Sequence, residues 1–258
     1  MHPILFTIGP FTFYSYGLMF VIAFVTGTLL ARRAARQLPP HLVAVPADQV
    51  LDLITSLLLG GIIGARVFFV ILEWRSFLSA PFEVFALWHG GLVWYGGFFG
   101  SLLAGWRYTR SRRISFLRMV DQIVPFLALG HAIGRIGCFL NGCCYGRPTT
   151  SWCGVQFPEL PGPVLPTQLF EAAGLFLLYR VLRLLQRPAV LARSGLLFGY
   201  YLVGYSGLRF MVEFVRGDQS VWWMGLTLQQ GISIGTFFAG LFLCQRARQR
   251  GNAPRHRV

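Results

Sequence analysis

Long apolar runs separated by short polar connections dominate the chain. A bilayer's hydrocarbon core, about 30 Å thick, is crossed by about 20 helical residues rising 1.5 Å each. Seven runs meet that length, at about residues 13–31, 50–72, 92–106, 117–139, 166–185, 195–215 and 224–244. The third is short and glycine-rich. The pattern predicts an all-α integral membrane protein with seven transmembrane helices in one polytopic domain spanning residues 1–258. Residues 141–164 hold Pro148, Pro158, Pro161 and Pro163 and read as an outer cap loop, and 245–258 read as a basic cytoplasmic tail.

Composition agrees. Of 258 residues, 55% are hydrophobic, 16% aromatic and only 12% charged. A soluble domain carries about twice that charged fraction. The net charge of +14 raises nucleic-acid binding, but where the arginines fall excludes it as the simplest account. Arg32, Arg33 and Arg36 follow the first run; Arg107, Arg110, Arg112, Arg113 and Arg118 follow the third. Arg180, Arg183, Arg187 and Arg193 follow the fifth; Arg246, Arg248, Arg250, Arg255 and Arg257 follow the seventh. The alternate connections carry Arg75, Arg147 and Arg216. By the positive-inside rule the N-terminus lies outside and the C-terminus in the cytoplasm. No basic segment precedes the first apolar run, so no cleaved leader is expected.

This topology places the remaining polar residues in depth. His131 and Arg135, Arg209 and Glu213, Arg66, Gln168 and Glu171, Tyr14 and Tyr16, Tyr95, and Gln230 with Ser233 all fall toward the outer leaflet. An arginine at bilayer centre costs about 2.5–3.5 kcal/mol, so these arginines should meet a partner or a wet cavity. Arg209 and Glu213 share a helix face, and Tyr205 extends the same stripe. Arg66 paired with Glu171 is one purely structural account. The alternative is a site for an anionic phospholipid headgroup, because three arginines against two carboxylates leave positive charge and the guanidinium fork suits phosphate. Gly60/Gly64, Gly96/Gly100, Gly130/Gly134 and Gly195/Gly199 are spaced for close helix packing.

Four of the five cysteines, Cys138, Cys143, Cys144 and Cys153, lie at or beyond the outer end of the fourth run. The outer side is oxidising, so a disulfide from Cys153 to Cys143 or Cys144 is one expectation. A free pair, a catalytic thiol activated by Arg135 or His131, and a metal site stay open beside it. The spacing matches no common zinc pattern, and no metal is expected. No phosphate-binding loop or dinucleotide fingerprint is present, so no cofactor is expected either.

Five motifs in order resemble the prolipoprotein diacylglyceryl transferase family. They are Tyr16-Gly17-Leu18-Met19; Trp88-His89-Gly90-Gly91-Leu92 with Gly96-Gly97; Gly134-Arg135-Ile136-Gly137-Cys138-Phe139-Leu140-Asn141-Gly142 with Tyr145-Gly146-Arg147; Pro166-Thr167-Gln168-Leu169-Phe170-Glu171; and Arg209-Phe210-Met211-Val212-Glu213-Phe214-Val215-Arg216. Gln230 and Ser233 match a pair in the seventh helix. The resemblance implies transfer of a diacylglyceryl group from phosphatidylglycerol to the lipobox cysteine of a preprolipoprotein. The products are a thioether and glycerol phosphate, made at the outer face of the bacterial inner membrane.

It also implies roles. Arg135, Arg209, Glu213 and Tyr16 would be catalytic. Asn141, Gly146, Tyr95, Arg216, Gln168, Glu171 and Gln230, with Arg135, would bind substrate. The partners would be phosphatidylglycerol, the lipobox peptide and membrane lipids, with no nucleic acid. The sequence departs from the family pattern where an asparagine is replaced by Cys138, a glutamate by Cys143, and two histidines by Tyr95 and Leu165. The general base is therefore open, with His131 and His89 as candidates. A transferase with a cysteine intermediate and a non-catalytic lipid-binding or transporting protein are the competing readings.

Overall fold

The computed structural model describes residues 3–9, 11–87, 90–158, 160–217, 220–223 and 225–252. The chain is mostly helical. Its long helices are α1 (Ser15–Gln37), α2 (Val50–Leu72), α4 (Trp94–Ser111), α5 (Phe116–Asn141), α6 (Thr167–Leu185), α8 (Leu196–Glu213) and α9 (Leu228–Asn252), with short α3 (Trp74–Ser79) and α7 (Pro188–Leu191). Of these, α1, α2 and α5 are long and apolar enough to cross a membrane by length and composition alone. The other four carry polar groups within their spans, among them Arg107 in α4, Glu171 in α6, Arg209 in α8 and Gln230 in α9.

Each expected run corresponds to one long helix, with shifted ends. Helix α1 continues to Gln37, α4 to Ser111 and α9 to Asn252. The apolar stretch stops before the helix does. Arginine is a good helix former and favours a helix C-terminus, so Arg32, Arg107 and Arg246 extend helices rather than end them. The all-α expectation needs one correction. Strands β1 (Ile4–Ile8) and β2 (Phe11–Tyr14) form an antiparallel hairpin, and β3 (Val221–Trp223) pairs with β4 (Leu226–Thr227). Phe13 and Tyr14 therefore belong to a strand; β-branched and aromatic residues dominate that stretch.

Helix α5 is the centre of the bundle, with α1, α6 and α8 packed on it; α2 pairs with α4 and α8 with α9. The α2–α4 seam realises the expected glycine spacing. A Cβ on Gly100 would overlap the carbonyl of Gly60, and one on Gly64 would overlap that of Gly96. Gly130 and Gly134 do not serve packing, since a Cβ at either meets nothing within 4 Å. Gly195 ends the α7–α8 turn, and it is Gly199 that abuts Cys244 and Gly240 of α9.

Two buried side chains of α5 tie the opposite end of the bundle together. Asp121 accepts hydrogen bonds from the backbone N–H groups of Gly195 and Phe198, at the start of α8. Gln122 accepts from Ala44 and Val45 and donates to the Val45 carbonyl. Buried polar groups require such partners, and these fix the α1–α2 and α7–α8 connections against α5.

Candidate functional site

At its other end α5 contributes His131, Arg135 and Cys138, one turn apart from each other or nearly so. Arg135 Nη2 lies 3.0 Å from Glu171 Oε1 of α6, and His131 Nε2 lies 3.8 Å from the same oxygen. Glu171 is buried, as is the neighbouring Gln168. The imidazole of His131 packs on the Tyr205 ring of α8, centroids 5.2 Å apart. Tyr205 is hydrogen-bonded to Arg135 and lies within electrostatic reach of Glu171 and Arg209. One aromatic side chain thus joins the α5–α6 ion pair to α8.

The second ion pair lies within α8. Arg209 Nη1 is 2.7 Å from Glu213 Oε2. The other Glu213 oxygen accepts a 2.8 Å hydrogen bond from Thr227 Oγ1. Thr227 and Gln230 form a reciprocal cap at the start of α9: the Gln230 N–H donates to Thr227 Oγ1 at 3.3 Å, and Gln230 Oε1 accepts from the Thr227 N–H at 3.0 Å. Gln230 therefore positions Thr227, and Thr227 positions Glu213.

Arg66 is not part of this group, and its expected pairing with Glu171 is not formed. Its guanidinium donates to the backbone carbonyls of Val84 at 2.9 Å, Gly90 at 2.6 Å and Gly91 at 3.2 Å, and also to Glu83 and Ala86. The rings of Phe69 and Phe77 flank it at 5.4 and 5.6 Å. It clamps the loop between α3 and α4. Arg216, not Arg66, lies near the cysteine end of the site. Arg216 is buried, its backbone pairs antiparallel with Gly146, and its charge reaches Cys144.

Five buried polar atoms at this site make no hydrogen bond; Glu171 Oε1, Arg209 Nη1 and Glu213 Oε2 are held in the ion pairs, which leaves Arg135 Nε and Gln168 Oε1 without a partner of either kind. A buried guanidinium N–H left unmet is a donor that an anionic oxygen would complete. Tyr16 joins from α1. Its ring, like Met19, packs over Gly137, where a Cβ would come within 3.1 Å of both. Tyr16 as a whole is about half exposed.

The remaining expected residues divide. Tyr95 stays apart, exposed at the first turn of α4 and edge-on to Trp94, because α4 is drawn onto α2 by the glycine seam. Gly146 is where the cap loop threads between Leu165 and Val215; a Cβ there would meet the Val215 carbonyl at 2.7 Å. Asn141 is the exposed last residue of α5 and contacts Cys143. His89 lies outside the described residues. The cap loop begins after Asn141, and Phe157 is buried beneath it against Phe139 and Tyr145. Arg33 and Arg183 line a separate cleft of about 260 Å³ at the other end of α1 and α6.

The expected disulfide is absent: all five cysteines are free thiols. Cys153 sits beside Ser151, Sγ to Oγ 3.4 Å. Cys143 and Cys144 instead turn toward Cys138, and the three sulfurs lie within 4.8 Å of one another. Two backbone features cause this. Gly142, at φ +79°, closes α5 in a Schellman motif: the Cys143 N–H bonds the Cys138 carbonyl and the Gly142 N–H bonds that of Phe139. That motif brings the side chains at its two ends together. Cys144 then adopts φ +62°, unusual outside glycine. Buried Thr167 and Gln168 hold the turn by donating to the Cys144 and Cys143 carbonyls at 2.8 and 2.6 Å. Hydrogen bonds from Cys138 and Cys143, then the charges of Arg135 and Arg216, hold the Cys144 thiol well below its ordinary range.

Comparison with known proteins follows the same residues. The family model described as "Prolipoprotein diacylglyceryl transferase" matches residues 3–246. A Geobacter sulfurreducens protein named phosphatidylglycerol–prolipoprotein diacylglyceryl transferase is 35% identical over 247 residues, covering 93% of this chain and 89% of its own. Proteins of the same name are 36% identical in Nitratidesulfovibrio vulgaris strain Miyazaki F (98% and 96% covered) and 34% identical in Cupriavidus pinatubonensis (96% and 92%).

Proposed function

The chain belongs to the prolipoprotein diacylglyceryl transferase family, and on that premise we propose that it transfers the diacylglyceryl group of phosphatidylglycerol to the lipobox cysteine of preprolipoproteins. The observation that carries this reading is the pair of arginine–carboxylate contacts, Arg135 with Glu171 and Arg209 with Glu213, converging on Tyr205 beside the unsatisfied Arg135 Nε. A phosphodiester placed there gains a charge-assisted donor, and the arginines stabilise the charge that grows on phosphate as the C–O bond breaks.

In this reading all seven long helices span the bacterial inner membrane, the N-terminus is outside, and the site faces the outer leaflet. The peptide cysteine attacks the glyceryl carbon, a thioether forms, and glycerol phosphate leaves. Glu171 and Glu213 hold the two arginines in register with the phosphate, and Gln168 lines the same wall. Tyr16 closes the α1 side, and the loop over Phe157 screens the site from water. His131 is held between Glu171 and Tyr205, which suits positioning Glu171.

The test is conversion of a lipobox peptide by the purified protein in phosphatidylglycerol-containing micelles, read by mass spectrometry. A thioether product of the added diacylglyceryl mass is expected only with that lipid. Headgroup-dependent binding without product, alongside an active control enzyme, would replace the transferase reading with lipid binding. A lipid adduct on a cysteine of the protein itself would replace it with a covalent mechanism. Complementation of a strain depleted of this transferase, by wild type and not by Arg135→Ala, tests class and site together.

A further inference from the structure

The proposed reaction alkylates a thiol, yet the carboxylate and imidazoles that the family resemblance leads one to expect are replaced here by Cys143, Tyr95 and Leu165. What stands beside Arg135 is a set of three sulfurs. Cys138, Cys143 and Cys144 lie within 4.8 Å of one another, all part-buried. Around an ion with metal–sulfur bonds of about 2.3 Å, three sulfurs sit about 3.8–4.0 Å apart. The set needs only a small contraction to reach that geometry.

Its backbone is already committed. The Schellman closure at Gly142 brings Cys138 and Cys143 together, and the left-handed Cys144 swings the third sulfur to the same point. A non-glycine residue in that conformation is strained and persists where surrounding structure holds it. Thr167 and Gln168, both buried, do so through the Cys144 and Cys143 carbonyls. Metal ligands are oriented by this kind of surrounding hydrogen bond. Charge is matched too. Three thiolates around a divalent ion carry one net negative charge, and Arg135 and Arg216 lie within electrostatic reach. Among the described residues no fourth histidine, cysteine or carboxylate joins the group.

We propose that Cys138, Cys143 and Cys144 bind Zn(II) through three thiolates, with the fourth position left for the thiol of the substrate peptide. The proposal rests on the transferase reading for its second half alone. Soft thiolate sets select zinc-class ions, and three protein ligands leave one tetrahedral position open. A thiol that coordinates zinc is deprotonated. The peptide thiol takes the open position and releases its proton to solvent. Its sulfur forms a bond to the glyceryl carbon; that carbon's bond to the phosphate oxygen breaks, and the electron pair leaves with glycerol phosphate. No oxidant or reductant is consumed. The site thereby supplies thiolate without a protein base.

The full chain, purified in detergent under reductant, is loaded with Zn(II) or Co(II), dialysed, and assayed for metal content and cobalt–thiolate absorption. One ion per chain is expected. It should persist in Cys153→Ser and Cys244→Ser, and be bound at least about tenfold more weakly in Cys138→Ser, Cys143→Ser and Cys144→Ser that keep wild-type helicity by circular dichroism. Adding a lipobox peptide without phospholipid should intensify the cobalt–thiolate band, and the same peptide with serine for cysteine should not. Equal binding by the triple cysteine variant, or no binding by the reduced protein, overturns the proposal. An unchanged band with the cysteine peptide overturns the open-position role. These readouts need no turnover. Intact metal and peptide spectra with no thioether product would count against the transferase reading alone.

Discussion

Glu171 of α6 receives Arg135 of α5 at 3.0 Å, and this contact holds a part-buried guanidinium against a fully buried carboxylate at the helix seam. Removing one partner of a buried pair strands the other; the cost is typically about 3–5 kcal/mol. Glu171→Ala should therefore lower the thermal midpoint in detergent strongly, and Glu171→Gln should lower it less. Unchanged melting in Glu171→Ala would show the pair to be solvated.

Arg135→Ala and Arg209→Ala should each reduce kcat/KM for peptide modification by about 10²–10³-fold, the usual effect of losing a donor that meets developing charge. Lysine at either position should recover little, since it lacks the planar fork. Retention of most activity in Arg135→Ala would place the phosphate elsewhere.

Thr227 connects the α9 cap to Glu213. Thr227→Val loses both the cap and the Glu213 contact, for about 1–2 kcal/mol in stability. Activity should fall with it, and Thr227→Ser should restore both. Steady-state kinetics beside thermal melts separate the two effects, because a capping role alone would leave activity of the folded fraction intact.

Arg66 predicts a different phenotype. Arg66→Ala frees five carbonyls of the α3–α4 loop, so limited proteolysis should cut within residues 80–91 faster than in wild type. The KM for phosphatidylglycerol should stay near wild type. A raised KM with unchanged proteolysis would return Arg66 to the lipid site.

The α2–α4 seam supplies an internal comparison. Gly100→Ala and Gly64→Ala place a Cβ onto a facing carbonyl, and overpacking of this kind costs about 1–3 kcal/mol. Gly130→Ala meets nothing within 4 Å and should melt at or above wild type, since alanine favours a helix by about 0.8–1.0 kcal/mol over glycine.

Hydrophobic run length located every long helix, because a bilayer-length apolar stretch has few other uses. It misplaced the ends at Gln37, Ser111 and Asn252, where arginine carries the helix past the apolar stretch. Charge within apolar runs singled out Arg135, Arg209 and Glu213, whose ion pairs meet at Tyr205, but position along a run says nothing of direction around a helix. Arg66 and Tyr95 therefore counted toward a site from which α2 and α4 withdraw them. Two signals were present in the sequence and readable. Thr227-Leu228-Gln229-Gln230 has the spacing of a reciprocal helix cap. Gly142, flanked by Cys138 four residues before and Cys143 one after, has that of a Schellman closure, which gathers thiols that linear spacing had seemed to separate. The left-handed turn at Cys144 and the backbone pairing of Arg216 with Gly146 left no local signature, since both depend on contacts across the bundle.

Helix α1 packs on α5, with α2, α3 and α4 intervening in the chain. At about 5–20 residues per second of synthesis, its partner emerges on the order of ten seconds later. The small-residue face around Ala31 and Ala34, buried in the folded chain, must wait in lipid or against another protein until its partners arrive. The α2–α4 pair can close in the meantime. The order of birth therefore sets Tyr16 against α5 before α6 and α8 bring Glu171, Arg209 and Glu213 to the site, and it leaves the first helix waiting for a partner that is not its neighbour in the chain.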